Sequence, residues 1–224
     1  MKKIILHIGA NKTGTTSIQN YLSINNDEIV SRYNILYPET GRIWNAHFKL
    51  AWAVGAGKGD VDVDVSEWAE LKKEIDSSEC DTFVISSENF ILVKEPDQIR
   101  FIKELFLNYE FQIVLYARRQ DFWLESLYLQ RIKMGFLEKN FTQFLEQPDQ
   151  ELDFNMILSP WEDVFGKESI DVIDFDAGVK KNGAVKTFFN LIGRSEINVT
   201  EIRDNDSLDR NIAEYLLTKG SSLK

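Results

Sequence analysis

The sequence predicts an α/β protein in which a parallel β-sheet is covered by helices on both faces. Short apolar runs bounded by glycine or proline recur along the chain, as buried parallel strands require. Segments with apolar residues at helical spacing separate them, the alternation expected of β-α units. The chain has 224 residues, of which 43% are hydrophobic and 12% aromatic, which excludes a disordered chain and supplies one core. At roughly 100–200 residues per domain, a single domain over residues 1–224 is expected.

The first run, from Lys3 to Ile8, is rich in isoleucine and ends at Gly9. Thr15 to Ile24 follows as a helix with Ile18, Tyr21 and Leu22 on one side. Asn34 to Tyr37 is a second strand, closed by Pro38. Ala46 to Val54 reads as a helix, the glycine-rich stretch from Gly55 to Gly59 as a loop, and Trp68 to Ile75 as a helix. Thr82 to Ser86 is the third strand. Pro96 suits the first turn of a helix running to about Asn108, with Ile99, Ile102, Leu105 and Phe106 on one face. Gln112 to Ala117 is the fourth strand and Phe122 to Gly135 a long helix. A helix over Asn155 to Val164, a fifth strand from Ile170 to Phe175 and a helix from Ala184 stopping at Gly193 complete the pattern. Asp204 to Asp209 is a polar surface stretch before a final helix.

Lys plus Arg number 26 against 36 for Asp plus Glu, giving a formal net charge of -10. Generic binding to nucleic acid or an anionic membrane rests on phosphate neutralisation, so neither partner is expected. One anionic ligand in a locally basic pocket is compatible with this balance. Cys80 is the single cysteine and His7 and His47 the only histidines, which leaves no basis for a metal site or an intrachain disulfide. The opening Lys2-Lys3-Ile4-Ile5-Leu6 is interrupted by His7 and Gly9 before a signal-peptide core forms, and no membrane-length apolar run follows. A soluble, cytoplasmic chain is expected, and the N-x-S/T triplets at Asn11, Asn140, Asn198 and Asn205 then carry no meaning as glycan sites.

Gly9-Ala10-Asn11-Lys12-Thr13-Gly14-Thr15-Thr16-Ser17 connects the first strand to the first helix. Backbone N–H groups, a helix N-terminus, several hydroxyls and the Lys12 ammonium make an anion nest. The alternative is an ordinary strand-to-helix turn with an exposed lysine. Gly9 and Gly14 have the spacing of the nucleoside-triphosphate loop G-x-x-x-x-G-K-[ST], but Thr15 stands where that loop has its lysine. This departure argues against ATP or GTP chemistry.

Lys12-Thr13-Gly14-Thr15-Thr16-Ser17 resembles the 5′-phosphosulfate loop of sulfotransferases that use 3′-phosphoadenosine-5′-phosphosulfate (PAPS), including their bacterial and glycan-sulfating members. A second motif agrees. Arg118 ends the strand Val114-Leu115-Tyr116-Ala117, and Ser126 stands eight residues later with Tyr128 after it. This is similar to the family's 3′-phosphate signature of a strand-end arginine and a helix serine. Taken singly, Arg118 reads as a surface ion pair and Ser126 as a helix-face hydroxyl. Weaker similarity runs through Trp161 to Gly166 and Phe188 to Gly193, so the resemblance spans about residues 3–193. It implies a three-layer α/β/α fold with a roughly five-stranded parallel sheet, related to P-loop nucleotide kinases.

The resemblance implies transfer of a sulfuryl group from PAPS, leaving 3′,5′-ADP, to a hydroxyl or amine of a small molecule, glycan or lipid headgroup. Lys12, Thr13, Gly14, Thr15, Thr16 and Ser17 would hold the 5′-phosphosulfate, Lys12 acting also in catalysis, and Arg118 and Ser126 would hold the 3′-phosphate. Glu88, after the strand at Thr82, resembles the catalytic glutamate of the glycan-sulfating branch, although Asn89 replaces the lysine that often follows. His47 lies in a segment that resembles a histidine-containing helix of bacterial relatives and is the second candidate base or acceptor contact. Both also read as structural groups, Glu88 as a strand-end cap and His47 as a packed helix residue. His7 is expected in the core. Arg119, Arg131 and Lys133 are candidates for the positive pocket, and Trp44, Trp52 and Trp123 for an aromatic wall, although core packing explains such tryptophans as well. Lys219-Gly220 is a weak match to the family's closing basic loop. Two other functions fit the same fold, a nucleotide or small-molecule kinase and a catalytically silent binding module.

Overall fold

The computed structural model describes residues 1–57, 64–135, 140–146 and 153–199, together with Ile212 and Tyr215. Five strands, β1 (Lys3–Gly9), β2 (Ile35–Leu36), β3 (Thr82–Ser86), β4 (Glu110–Ala117) and β5 (Ile170–Asp174), form one sheet in the order β2-β3-β1-β4-β5. Every pairing is parallel, and β1 runs down the middle with His7 beside Ser86 of β3 and Val114 of β4. Parallel strands need crossovers, and here helices supply them.

Side chains alternate across β1, and the two faces are buried by different helices. Ile4, Leu6 and Ile8 join Phe83, Ile85, Ile113 and Leu115 under α3 (Phe48–Ala53), α4 (Val65–Ser77), α5 (Pro96–Leu105) and α8 (Phe154–Phe165). Ile5, Val84, Val114 and Tyr116 form the other face with α1 (Thr15–Ile24), α2 (Asn26–Tyr33) and α10 (Ala184–Leu191). The result is the three-layer α/β/α fold expected, with Trp68, Trp123 and Trp161 among the largest fully buried side chains. Further helices are α6 (Gln120–Lys133), α7 (Phe141–Leu145), capped by Asn140, and α9 (Lys180–Asn182).

Where elements differ from expectation, a local contact explains it. The helix expected from Ala46 begins only at Phe48, because the His47 N–H donates to Ser86 O across the sheet edge. The last strand stops at Asp174 and the chain turns through a π-helical segment, Phe175–Val179. Helix α2 has no counterpart among the expected elements, since Ile29 is its one buried residue and leaves little periodic signal. Gly59, the Asp204–Asp209 stretch and Lys219-Gly220 lie outside the described residues, as does most of the expected final helix. Among the described residues no helix is long and apolar enough to cross a membrane.

Candidate functional site

The carboxyl ends of β1, β3 and β4 lie side by side, and each delivers one part of the site. β1 leads into the Gly9–Ser17 loop, β3 into Glu88, and β4 into Arg118. Ligand sites of open α/β sheets are expected at this edge. The strand order of the sheet thus makes neighbours of three segments that are distant in sequence.

The loop is shaped by residues in left-handed conformations, Gly9 (φ 107), Lys12 (φ 65) and Gly14 (φ 81). Gly14 is the N-cap of α1 and, having no side chain, leaves the first N–H groups of the helix for a ligand. A Cβ at Gly14 would sit 2.6 Å from the Ala184 Cβ, so α10 presses against the loop from behind. Thr13 is fully buried and its hydroxyl donates to Ala10 O at 2.6 Å, bracing the loop from inside. Thr15 is buried, Ser17 half-buried and Thr16 exposed. The Lys12 pKa is lowered, chiefly by burial and then by the nearby charges of Arg118 and Lys133. Lys12 thus lies within electrostatic reach of two further cations at an N-terminus with no side-chain cap.

Arg118 is anchored to that loop directly, its Nη1 donating to Lys12 O at 3.1 Å. Its guanidinium also lies over the Phe175 ring at 5.4 Å, and its Nε is 3.9 Å from Asp176 Oδ1. The π-helical segment therefore holds the arginine from the far side, a role for Phe175 and Asp176 that no motif in the sequence announces. On α6 the Trp123 indole N–H donates to Asn11 O at 2.8 Å. Ser126, buried one turn further, shares the face that Trp123 turns to the loop, and Lys133 follows at helical spacing.

Glu88 opens a short 3₁₀ helix, Glu88–Leu92, whose N-cap Ser87 accepts from the Asn89 N–H. The Ser87 N–H donates to His7 O, tying this turn to β1. The Glu88 carboxylate is half-buried, and its Oε2 accepts from Gln19 Nε2 at 3.1 Å. The same amide nitrogen donates to Ser86 Oγ at 3.2 Å, and Ser86 Oγ is 2.8 Å from His7 Nδ1. Gln19 is a site residue missed at the sequence level, where it passes for a polar residue of an amphipathic helix. His7 is fully buried as expected, and burial pushes its pKa down to about 3.

The other candidates separate by environment. His47 is fully buried, with Nδ1 accepting from the Ser86 N–H at 3.1 Å and Nε2 facing Pro38 O at 3.0 Å. Those partners select the Nε2–H tautomer and leave no ring nitrogen for a substrate proton, which corrects the expectation of a base or an acceptor contact there. Its place is instead to pin the segment before α3 to the end of β3. Arg119 is exposed and paired with Asp121 through two hydrogen bonds, and Arg131 lies over the Phe144 ring. Trp123 is core, whereas Trp44 is 87% exposed and Trp52 stacks on Phe48. Among the described residues no group of His, Cys, Asp and Glu is arranged to hold a metal ion.

No family model matches the chain. An uncharacterized protein of Archaeoglobus fulgidus is 32% identical over 123 residues, which is 54% of this chain and 32% of that protein. The chain thus spans about a third of the length of the curated relative it matches. The crystal structure of a sulfotransferase from Alicyclobacillus acidocaldarius has a TM-score of 0.56 at 14% identity, over 99% of this chain and 92% of that one. A sulfotransferase domain from the curacin biosynthetic pathway has a TM-score of 0.44 at 15% identity, over 89% of this chain and 76% of that one. With its five-stranded parallel sheet between helical layers, the chain shares the α/β fold of the Alicyclobacillus sulfotransferase.

Proposed function

We propose that the chain is a PAPS-dependent sulfotransferase acting on a hydroxyl, or an amine, of a small molecule, glycan or lipid headgroup. The observation that carries this reading is the contact between its two motifs, Arg118 Nη1 donating to Lys12 O at 3.1 Å although 106 residues separate them. A ligand phosphorylated at both the 3′ and the 5′ position of one ribose needs two cationic subsites that share a wall. Lys12 and the α1 N-terminus supply one, and Arg118 with Ser126 on α6 supplies the other. The departure of Thr15 from the triphosphate-loop lysine disfavours the kinase reading.

PAPS supplies an activated sulfuryl group on a phosphate leaving group. Glu88 accepts the proton of the acceptor hydroxyl as that oxygen bonds to sulfur. Lys12 and the loop N–H groups stabilise the charge that gathers on the phosphate oxygen as its bond to sulfur breaks. The proton ends on Glu88 and the electron pair on 3′,5′-ADP, so the transfer balances. The acidic chain gives no long-range attraction for such an anion, and close contacts within a Debye length dominate its capture.

Calorimetric titration with 3′,5′-ADP, ATP and 5′-AMP tests the reading. Preference for 3′,5′-ADP, weakened about 10–100-fold in Arg118→Ala with ATP affected less, is the expected result. Equal or tighter binding of ATP overturns it in favour of a kinase, and no binding of any of the three overturns it in favour of a silent module.

A further inference from the structure

We infer that Gln19 is a positioning residue that fixes the Glu88 carboxylate for proton transfer, an inference that rests on the sulfotransferase reading. Helix α1 buries one stripe on the sheet, and Gln19 lies in that stripe with Ile18 and Leu22. Gln19 is 4% exposed, so its carboxamide needs partners inside the protein. A leucine there would pack on the sheet without that requirement.

The partners are specific. Gln19 Nε2 donates to Glu88 Oε2 at 3.1 Å and to Ser86 Oγ at 3.2 Å. A carboxylate accepts only, so the nitrogen and not the carbonyl oxygen must face Glu88, and both N–H bonds are then used. Ser86 is itself held by His7 Nδ1 at 2.8 Å, and the register that pairs His7 with Ser86 puts both side chains on the α1 face. Burial keeps His7 neutral, with its pKa pushed down to about 3, so this anchor does not change charge in the working range.

The geometry has a chemical consequence. Oε2 is tied back toward the sheet, which leaves Oε1 as the oxygen to receive a proton. Because α1 also begins at the anion loop, one helix sets both the donor end and the base of the site. Gln19 is four residues past Thr15, a rigid turn away, so the distance between loop and carboxylate is fixed by helical geometry. Gln19 touches no reacting atom in this scheme and acts through Glu88 alone.

The test is a double-mutant cycle of wild type, Gln19→Leu, Glu88→Gln and the double variant. The readouts are release of inorganic sulfate from PAPS, with water as acceptor, and 3′,5′-ADP affinity. Water oxygen bonds to sulfur, its proton passes to Glu88, and 3′,5′-ADP leaves. Gln19→Leu is expected to slow sulfate release roughly 10–100-fold with 3′,5′-ADP affinity unchanged. In the Glu88→Gln background it should cost nothing further, because its route of action is already gone. Losses that multiply, or a parallel fall in 3′,5′-ADP affinity, overturn the inference and mark Gln19 as a folding residue.

The side-chain amide resonances of Gln19 give a readout free of activity and of any change at residue 19. They should move in Glu88→Gln, and resonances that stay in place overturn the inference. Failure of wild type to bind 3′,5′-ADP sinks the sulfotransferase reading instead, with the amide resonances still deciding whether Gln19 holds Glu88.

Discussion

Gly9 and Glu88 are packed backbone to backbone: a Cβ added at Gly9 would lie 2.8 Å from the Glu88 Cα and 3.1 Å from its carbonyl oxygen. This close approach joins the start of the anion loop to the turn that carries the carboxylate, and a glycine alone permits it. The Gly9 φ of 107 adds a conformational reason for the same residue. Gly9→Ala is expected to destabilise the fold by roughly 2–4 kcal/mol through strain and overpacking, and to displace Glu88. Gly135→Ala is the control, since Gly135 also has positive φ but nothing within 4 Å of an added Cβ. Chemical denaturation checks the pair, and equal losses in the two variants refute the close-approach account.

Lys12 should report ligand binding as a change in protonation. Its pKa is lowered, first by burial and then by Arg118 and Lys133, so part of its positive charge is lost at a lower pH than in an ordinary lysine. An anion in the loop favours the charged form and raises the pKa again. Binding of 3′,5′-ADP should therefore take up protons at alkaline pH, and affinity should fall as pH rises through the free-state value. Titration calorimetry in buffers of different ionisation enthalpy measures the uptake. Lys12→Arg, whose charge is permanent, should bind without it, and an unchanged uptake in that variant assigns the proton elsewhere.

What the sequence made legible was local, and what it hid was contact between distant segments. The strand from Thr82 to Ser86 and the helix from Thr15 to Ile24 are bounded as periodicity and flanking residues predict. Lys12 and Arg118 stood out because each lies in a segment that resembles a family motif, and the parallel sheet brings them together. Gln19 and Asp176 had no such signal: one looks like a polar residue on a helix, the other like a surface acid after a strand. Only the tertiary fold turns the first toward Glu88 and the second toward Arg118. His47 failed as a base for a related reason. A histidine beside an aromatic residue has the same sequence signature whether it faces substrate or backbone, and here Ser86 and Pro38 take both nitrogens.

That buried histidine makes stability depend on pH with a defined sign. Burial pushes the His47 pKa from 6.5 down to about 4, while the unfolded chain keeps the ordinary value. Well above pH 6.5 both states are neutral and the group contributes no slope. As pH falls below that, the unfolded state binds the proton first and is stabilised, so folding weakens until the folded-state value is reached. The loss is up to about 1.4 kcal/mol per pH unit, or about 2 kcal/mol between pH 7 and pH 5. His7, pushed down to about 3, adds a second contribution of the same sign over a wider range. Urea unfolding at pH 7 and pH 5 should thus show a smaller drop in His47→Gln than in wild type, by about 2 kcal/mol, even though the variant is less stable at both. Equal drops in the two proteins mean that His47 takes up its proton in the fold as readily as in the unfolded chain, which its two backbone partners and complete burial argue against.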